Sequence, residues 1–212
     1  MVSQLVFLMV VSTGKYAKSH EPRVLYAAGR ASIFAVLVPG STGKEANPSD
    51  QCERMLTTEQ RTAKIAQLAG HPPALRSAVE GLTDEQLDTP YRDGGWTPRQ
   101  VIHHVADSHA NAYMRFRHVV AEDHPTIETY DQDVWAAWPD SKLPVDCSLK
   151  VIDGLHERWV SFLSTLPEDA WQRKGNHPER GEMTLDDFLN IYSAHGTKHA
   201  KQITDLRERQ GW

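Results

Sequence analysis

The segment LDDFLNIYSAHGTKHAKQITDL, residues 185–206, carries the clearest information about the fold of this chain. Its apolar residues recur every three or four positions, which is typical of a helix that buries one face in a core. They stand at positions 185, 188, 192, 203 and 206. His195 and His199 occupy the same face, at two places where further apolar residues would be expected. Because residues four apart stack on one side of a helix, the two imidazoles should lie next to each other.

Two interpretations of this histidine pair are open at this point. Histidines on the inner face of a helix can be core residues that hydrogen-bond to their neighbours, and this is the more common case for a single H-x-x-x-H pair. Alternatively, they are two metal ligands that need a third ligand from another helix. The choice between these interpretations depends on the rest of the chain.

Composition and charge restrict the class of protein. The chain has 212 residues, 40% hydrophobic and 24% charged, as expected for one soluble globular domain with some additional residues. Its formal net charge is −5, and its basic residues are scattered among acidic ones, so nucleic-acid binding is not expected. Cys52 and Cys147 belong to no C-x-x-C pattern, which indicates neither a zinc knuckle nor a disulfide framework. We therefore predict a cytoplasmic protein.

The first part of the chain differs from the rest. MVSQLVFLMVVS, residues 1–12, is too short to span a bilayer, and it lacks the basic start and clear cleavage site of a signal peptide. PGSTGKEANPSD, residues 39–50, is typical of a linker. We predict a poorly ordered N-terminal extension over residues 1–54, no membrane segment, and one folded domain over residues 55–212.

Start signals predict the first two long helices of that domain. Thr58 can cap a helix that is kinked or broken at the Pro-Pro pair 72–73. The next start is the strongest in the chain, because Thr97 and Gln100 form a capping box around a proline at the first helical position. This pattern predicts a helix over about residues 98–121.

The second half of the domain contains two further helices. CSLKVIDGLHERWVSFLSTL, residues 147–166, has helical apolar spacing, and Thr184 with Asp187 caps the last helix. Residues 124–146 form a long connection with little periodicity, which suggests a crossover or a lid. NHPERGE, residues 176–182, is predicted as a loop, and no β-alternation stands out. The expected fold is an all-α four-helix bundle, in which ligand sites form between facing helices.

A third metal ligand would come from HHVADSH, residues 103–109, in the second long helix. The buried face of this helix is defined by its apolar residues Val101, Val105, Ala112, Phe116 and Val119. His103 points nearly opposite to that face and is predicted to be exposed to solvent. His104 lies at the edge of the face and His109 close to its centre. Spacing therefore does not choose between His104 and His109, and His109 can equally be a buried, hydrogen-bonded residue.

Several blocks of this sequence resemble the YfiT branch of the DinB-like proteins, a family of metal-dependent hydrolases associated with bacillithiol S-transferase activity. The resemblance covers about residues 57–212 and is most specific at DTPYRDGGWT and HHVADSH. It continues through EDHPTIETYDQDVWAAWPDS, LHERWVSFLSTL and NHPERGEMTLDDFLNIYSAHGTKHAKQITDL. It implies a DinB-like four-helix bundle with a long crossover connection. Similar proteins form dimers, so it also implies a homodimer, which the residues do not show independently.

The resemblance also implies a ligand set. In that family, nickel or zinc is held by the second histidine of the HH pair and by both histidines of H-x-x-x-H. By position these are His104, His195 and His199, with one divalent ion per chain. Two features depart from the family pattern. A YPIG-type segment is not recognisable ahead of the first helix, and places that often hold further histidines are occupied by Lys198, Lys201 and Gln202.

Three histidine ligands leave a divalent ion an open position, as in catalytic sites, where bound water or thiol loses a proton more easily. We therefore expect an enzyme that activates a bacillithiol-like thiol for S-transfer to an electrophile, or a water for hydrolysis. A zincin-type protease is not expected, because the motif contains Gly196–Lys198 and no H-E-x-x-H glutamate. The alternative is a stress-related metal-binding bundle without catalysis, which a fourth ligand such as His109 or an aspartate would favour.

Further residues are candidates for supporting roles. Asp107, one turn beyond His104, could orient a ligand imidazole by accepting its hydrogen bond, or could face solvent. A thiol with sugar and carboxylate groups would need cations and donors, and the candidates are Tyr91, Arg92, Tyr113 and Arg115. Each of these four can also be a packing residue or part of a salt bridge. Trp135 and Trp138 could form a wall of the pocket or cover the core.

Overall fold

The computed structural model describes residues 55–212, so the predicted N-terminal extension lies outside the described residues. Four long helices confirm the predicted bundle: α1 is Thr58–Val79, α3 is Pro98–Ala121, α5 is Val145–Ser164 and α6 is Leu185–Gln210. The short helices are α2 (Asp84–Leu87), α4 (Gln132–Ala136) and two 3₁₀ turns, Pro139–Lys142 and Glu168–Gln172. Two strands complete the chain, β1 (Lys174–His177) and β2 (Gly181–Thr184).

Threonine capping boxes set the starts of α1, α2, α3 and α6. In each box, the threonine hydroxyl accepts a backbone N–H at the third helical position, whose side chain accepts the threonine N–H in return. The boxes at Thr97 and Thr184 are as predicted. The predicted cap at Thr58 is wrong by one residue, because Thr57 has Gln60 at the required spacing. The helix it starts, α1, runs without a break through Pro72 and Pro73.

The first two long helices of the bundle each pack against the last two. Helix α1 packs against α5 and α6, and α3 packs against the same two helices. The connection between α3 and α5 contains α4 and the first 3₁₀ turn, both of which contact α3. It therefore covers one side of α3 that the apolar periodicity of that helix does not mark as buried. Among the helices of residues 55–212, none has the length and apolar character that a membrane span requires.

Residues 174–184 form a β-hairpin, whereas the sequence predicts a loop over residues 176–182. Strands β1 and β2 pair antiparallel, with Gly175 opposite Met183, and Gly181 at the turn has a φ of 74°. The strands have only four residues each and no clear alternation of apolar and polar residues. They are held in part by the long connection, because Ile127 N donates to Asn176 O at 2.9 Å. A Cβ on Gly175 would lie 2.9 Å from side-chain atoms of Ile127 and Val119, so the hairpin packs closely on the bundle.

A buried ion pair joins the start of α1 to the start of α6. Arg61 in α1 donates to both carboxylate oxygens of Asp186 in α6, at 2.7 and 2.9 Å, and both side chains are at most 3% exposed. Asp186 also accepts the backbone N–H of Leu56 at 3.0 Å. Arg61 contacts Glu168 as well, and these carboxylates raise the pKa of the guanidinium above its usual value. The two-pronged geometry and the extra donor satisfy the charges that burial removes from water.

We predict that Asp186→Ala destabilises the fold by about 3 kcal/mol, because it leaves the buried Arg61 charge with Glu168 as its remaining partner. The matched control is Asp205→Ala, on the same helix. Asp205 makes an exposed pair with Lys201, so its loss should cost about 0.5 kcal/mol or less. Urea unfolding of the metal-free proteins measures both values. Equal losses in the two variants would contradict a special role for the buried pair.

Candidate metal centre

The structure brings His104 of α3 together with His195 and His199 of α6. One ring nitrogen from each of the three lies within 4.8 Å of the others. The ring of His104 is centred 5.4 Å from that of His195 and 4.9 Å from that of His199, and the two α6 rings are 4.5 Å apart. His104 and His199 are buried, whereas His195 is partly exposed. The Trp96 ring, just before the Thr97 cap, packs against His104 at 4.5 Å.

Burial keeps all three imidazoles neutral. It lowers the pKa of His104 to about 3 and that of His195 to about 2, with a further contribution from the neighbouring histidines. The pKa of His199 is also lowered, again mainly by burial. Each ring therefore has one N–H and one lone pair at neutral pH. His199 donates from Nδ1 to Gln202 Oε1 at 2.8 Å, so its lone pair is on Nε2, which lies 3.2 Å from Nε2 of His195.

This donor set fits a divalent ion such as zinc or nickel. Neutral imidazole is a preferred ligand of both metals, and three convergent nitrogens match the protein ligands of open, catalytic-type sites. Among residues 55–212, no Cys, Asp or Glu meets the spacing that joins these three histidines. The protein would therefore supply three ligands, and further positions would go to water or substrate.

The prediction that His103 faces solvent is wrong. Its side chain is only 6% exposed, and its ring nitrogens lie 2.7 Å from Ser148 Oγ and 2.9 Å from Leu143 O. The reason is that the end of the long connection and the start of α5 cover this side of α3. Apolar periodicity identifies the face of a helix that packs in the core. A polar face that a connection buries has no apolar residues, so periodicity does not identify it. His103 is therefore a structural residue that holds the connection against α3.

His109 is fully buried and hydrogen-bonded, which was one of its two predicted roles. Its Nε2 lies 3.0 Å from His195 Nδ1, and its Nδ1 lies 2.8 Å from Nε2 of His156 on α5. His156 Nδ1 in turn lies 2.8 Å from the carbonyl oxygen of Leu68. His71 on α1 is also near, and His71, His109 and His156 form a second group of ring nitrogens within 4.8 Å of one another.

His71 and His156 were overlooked in the sequence. His156 stands among the apolar residues of α5, between Ile152 and Trp159, at the same spacing that singled out His195 and His199. It could have been found by asking which inner faces contain histidine. His71 precedes the Pro-Pro pair, and because a kink or break was predicted there, its face of the helix was not assigned. Both are buried, at 1% exposure for His71 and 2% for His156.

A cavity of about 420 Å³ lies next to the three-histidine group, and His195 is part of its wall. The long connection contributes Tyr130 and Asp131, and α6 contributes Tyr192. The hairpin contributes residues that sequence reasoning assigned to a loop: His177, Glu179, Arg180 and Met183. Burial raises the pKa of Tyr130 and lowers that of His177, so both are neutral near pH 7.

Arg115 is the one predicted substrate-binding residue that lines this cavity. It donates to Tyr192 Oη at 2.8 Å and to the Glu128 carbonyl oxygen at 2.7 Å. No ion pair with a carboxylate is found for Arg115 or Arg180 among the described residues. Two arginines therefore share the wall with the acidic side chains of Asp131 and Glu179.

The other predicted supporting residues lie elsewhere. Tyr91 and Arg92 pack on each other, with the guanidinium 5.5 Å from the ring centre, and Tyr113 packs on Phe162 and Trp159. In the described part of the chain, none of the three lines the cavity.

Asp107 is half-buried beside Asp140, Trp135 and Trp138, and burial raises its pKa. No hydrogen bond joins its carboxylate to His104 within residues 55–212, so its predicted orienting role gains no support. Trp135 and Trp138 are exposed and line a separate pocket.

Known proteins share this sequence and this bundle. Residues 67–203 match the DinB superfamily. A Bacillus cereus (strain B4264) protein named "Putative metal-dependent hydrolase" is 46% identical over 160 residues, covering 76% of this chain and 92% of its own. A Bacillus mycoides (strain KBAB4) protein of like name is 49% identical over 148 residues, covering 70% and 86%. The solved structure of YfiT from Bacillus subtilis, described as "a probable metal-dependent hydrolase with an unusual four-helix bundle topology", is 43% identical, with a TM-score of 0.73 and coverage of 74% and 91%.

The adjacent residues His103 and His104 provide a matched pair for testing the metal site. We predict that His104→Ala abolishes stoichiometric metal binding, because one of three ligands is lost. His103→Ala should retain the metal and instead destabilise the fold by about 1–3 kcal/mol, because Ser148 and the Leu143 carbonyl lose their buried partner. Elemental analysis of untagged protein and thermal unfolding measure the two effects. Metal loss in the His103 variant with retention in the His104 variant would contradict this assignment.

Proposed function

The chain belongs to the DinB superfamily, and we propose that it is a metal-dependent enzyme that transfers a low-molecular-weight thiol to an electrophile. The proposed cofactor is one zinc or nickel ion per chain, held by His104, His195 and His199. Hydrolysis is the alternative activity and has the support of the relatives' names. The proposed partners are a bacillithiol-like thiol and a small electrophilic substrate. A cytoplasmic location and a homodimer stay predictions.

The main support for this proposal is the position of His195. Its ring belongs to the three-histidine group and also forms part of the cavity wall, so the group and the cavity share a boundary. A substrate in the cavity would therefore lie beside one of the three proposed ligands. No fourth His, Cys, Asp or Glu joins the group among the described residues, which favours an open site over the closed site of a purely structural metal protein.

A bound divalent ion supplies a positive charge that lowers the pKa of a water or thiol in its open position. The residues of the chain would bind and orient the substrate. Thiols built on cysteine carry carboxylate and ammonium groups. In the cavity wall, Arg115 and Arg180 could bind the carboxylates, and Asp131 and Glu179 could bind the ammonium group. Tyr130 and Tyr192 add hydroxyl groups that suit a sugar or amide. This mixture of charges supports a polar thiol over an apolar substrate.

The dependence of turnover on thiol distinguishes the two activities. Metal-loaded protein should consume a model electrophile, such as an aryl halide, only when a thiol is present, and the product should contain that thiol. A panel of cysteine derivatives, with and without carboxylate and amino groups, should show a preference for the charged members. The metal-free protein is the control. Turnover of ester or amide substrates without any thiol would overturn the transferase proposal and establish hydrolysis.

Arg115 provides a test of the cavity as the thiol-binding site. We predict that Arg115→Ala lowers kcat/KM for a carboxylate-bearing thiol about 10–100-fold, because a charge-assisted hydrogen bond is worth about 1.5–3 kcal/mol. The effect should shrink for a thiol without carboxylates, and Arg115→Lys should restore part of the activity. Arg117→Ala is the control, since that guanidinium packs over Phe162 at 4.7 Å outside the cavity. Equal effects of both alanine variants would place the thiol elsewhere.

A further inference from the structure

A row of four hydrogen-bonded groups crosses the centre of the bundle, and His195 is the one member that the proposed function uses. It begins at the carbonyl oxygen of Leu68, which lies 2.8 Å from His156 Nδ1, and continues from His156 Nε2 to His109 Nδ1 at 2.8 Å. It ends where His109 Nε2 meets His195 Nδ1 at 3.0 Å. The four members come from α1, α5, α3 and α6, so each long helix contributes one group to the row.

The Leu68 carbonyl determines which nitrogen donates in each hydrogen bond of the row. A backbone carbonyl only accepts, so His156 must carry its hydrogen on Nδ1. A neutral imidazole has one N–H, which leaves His156 Nε2 as an acceptor for His109 Nδ1–H. By the same reasoning, His109 Nε2 accepts from His195 Nδ1–H, and the lone pair of His195 is on Nε2. Burial supports the neutral state of the two inner rings, because it lowers the pKa of His156 to about 4 and that of His109 well below its usual value.

We infer that the row from the Leu68 carbonyl through His156 and His109 positions His195 and selects the tautomer that presents Nε2 to His104 and His199. This inference rests on the proposed metal site, and it makes His109 and His156 positioning residues for one ligand. His199 has the same tautomer as His195, because its Nδ1 donates directly to Gln202 at 2.8 Å. The Nε2 lone pairs of the two α6 histidines then face each other at 3.2 Å, which is unfavourable until a cation lies between them.

A second metal ion is the competing explanation of the same residues. One ring nitrogen each of His71, His109 and His156 lies within 4.8 Å of the other two, and His71 Nδ1 is buried without a partner among the described residues. His71 Nε2 lies 2.9 Å from the Ser193 carbonyl and must donate to it, so Nδ1 has a free lone pair. An ion there would also need the Nδ1 lone pair of His109. The hydrogen of His109 would then be on Nε2, and that of His195 on its own Nε2, which removes His195 from the first site.

The two explanations therefore require opposite tautomers of His109 and His195. The row of hydrogen bonds predicts Nδ1–H on both residues and one ion per chain, whereas the second ion predicts Nε2–H on His109. Nitrogen-15 NMR of histidine-labelled, metal-free protein reads these tautomers directly. Because this measurement needs no metal, it tests the inference even if the wild-type chain binds none. Finding Nε2–H on His195, or two ions per wild-type chain, would overturn the inference.

Variants of His109 test the consequence for metal affinity. His109→Leu should weaken zinc binding about 10–100-fold in a chelator competition, as is usual when the partner of a ligand histidine is lost. In the metal-free variant, His195 should show a mixture of tautomers. His109→Gln should restore most of the affinity, because its amide offers an acceptor to His195 and a donor to His156.

The control is His103→Leu, which removes another buried, hydrogen-bonded histidine from α3 outside the row. Its zinc affinity and the tautomer of His195 should be unchanged. If the wild type binds no ion, the proposed function fails, and the tautomer measurement decides the inference separately. If the wild type binds one ion and His109→Leu binds it equally well with Nδ1–H still on His195, the inference fails and the proposed function stands. If His109→Leu does not fold, the wild-type tautomers decide.

Discussion

The centre of the bundle depends on one constraint, which is that burying an imidazole costs free energy unless its polar nitrogens find hydrogen-bond partners. Six histidines lie on inner faces of this bundle: His71, His104, His109, His156, His195 and His199. The Ser193 and Leu68 carbonyls accept from His71 and His156, His109 joins His156 to His195, and His199 bonds to Gln202. His71 Nδ1 has no partner among the described residues. The packing of the helices follows from this arrangement. Gly196, for example, lies against His71, where a Cβ would come within 2.5 Å of the ring.

Local signals allowed most of the fold to be predicted from the sequence. The capping boxes at Thr97 and Thr184 and the apolar spacing of the helices are properties of short segments, and the structure confirms them. Non-local packing accounts for the errors. The hairpin is stabilised in part by its contact with Ile127 rather than by alternation of its own residues, and His103 is buried by a connection that no helical pattern describes. The cap at Thr57 was missed by a single position.

The candidate site was predictable to a smaller extent. Apolar spacing singled out His195 and His199, but it left His104 and His109 equivalent, and the structure explains this result because both are buried on α3. His104 lies in the three-histidine group, and His109 hydrogen-bonds to His195, a member of that group. Family resemblance favoured His104, which the geometry matches. The spacing of His156 could have marked it as an inner-face residue, but its partners His109 and Leu68 could not be predicted, because they depend on distances between helices.

The β-hairpin has a consequence for which parts of the cavity tolerate substitution. Its base packs tightly, since Gly175 leaves no room against Ile127 and Val119, but its turn is exposed and contributes Glu179 and Arg180 to the cavity. The six inner-face histidines all belong to helices, so a mutation in the turn would change the cavity wall without disturbing the three-histidine group. Substitutions at these exposed positions would reshape the cavity at little cost in stability, whereas substitutions among the buried histidines would leave hydrogen-bonding groups without partners.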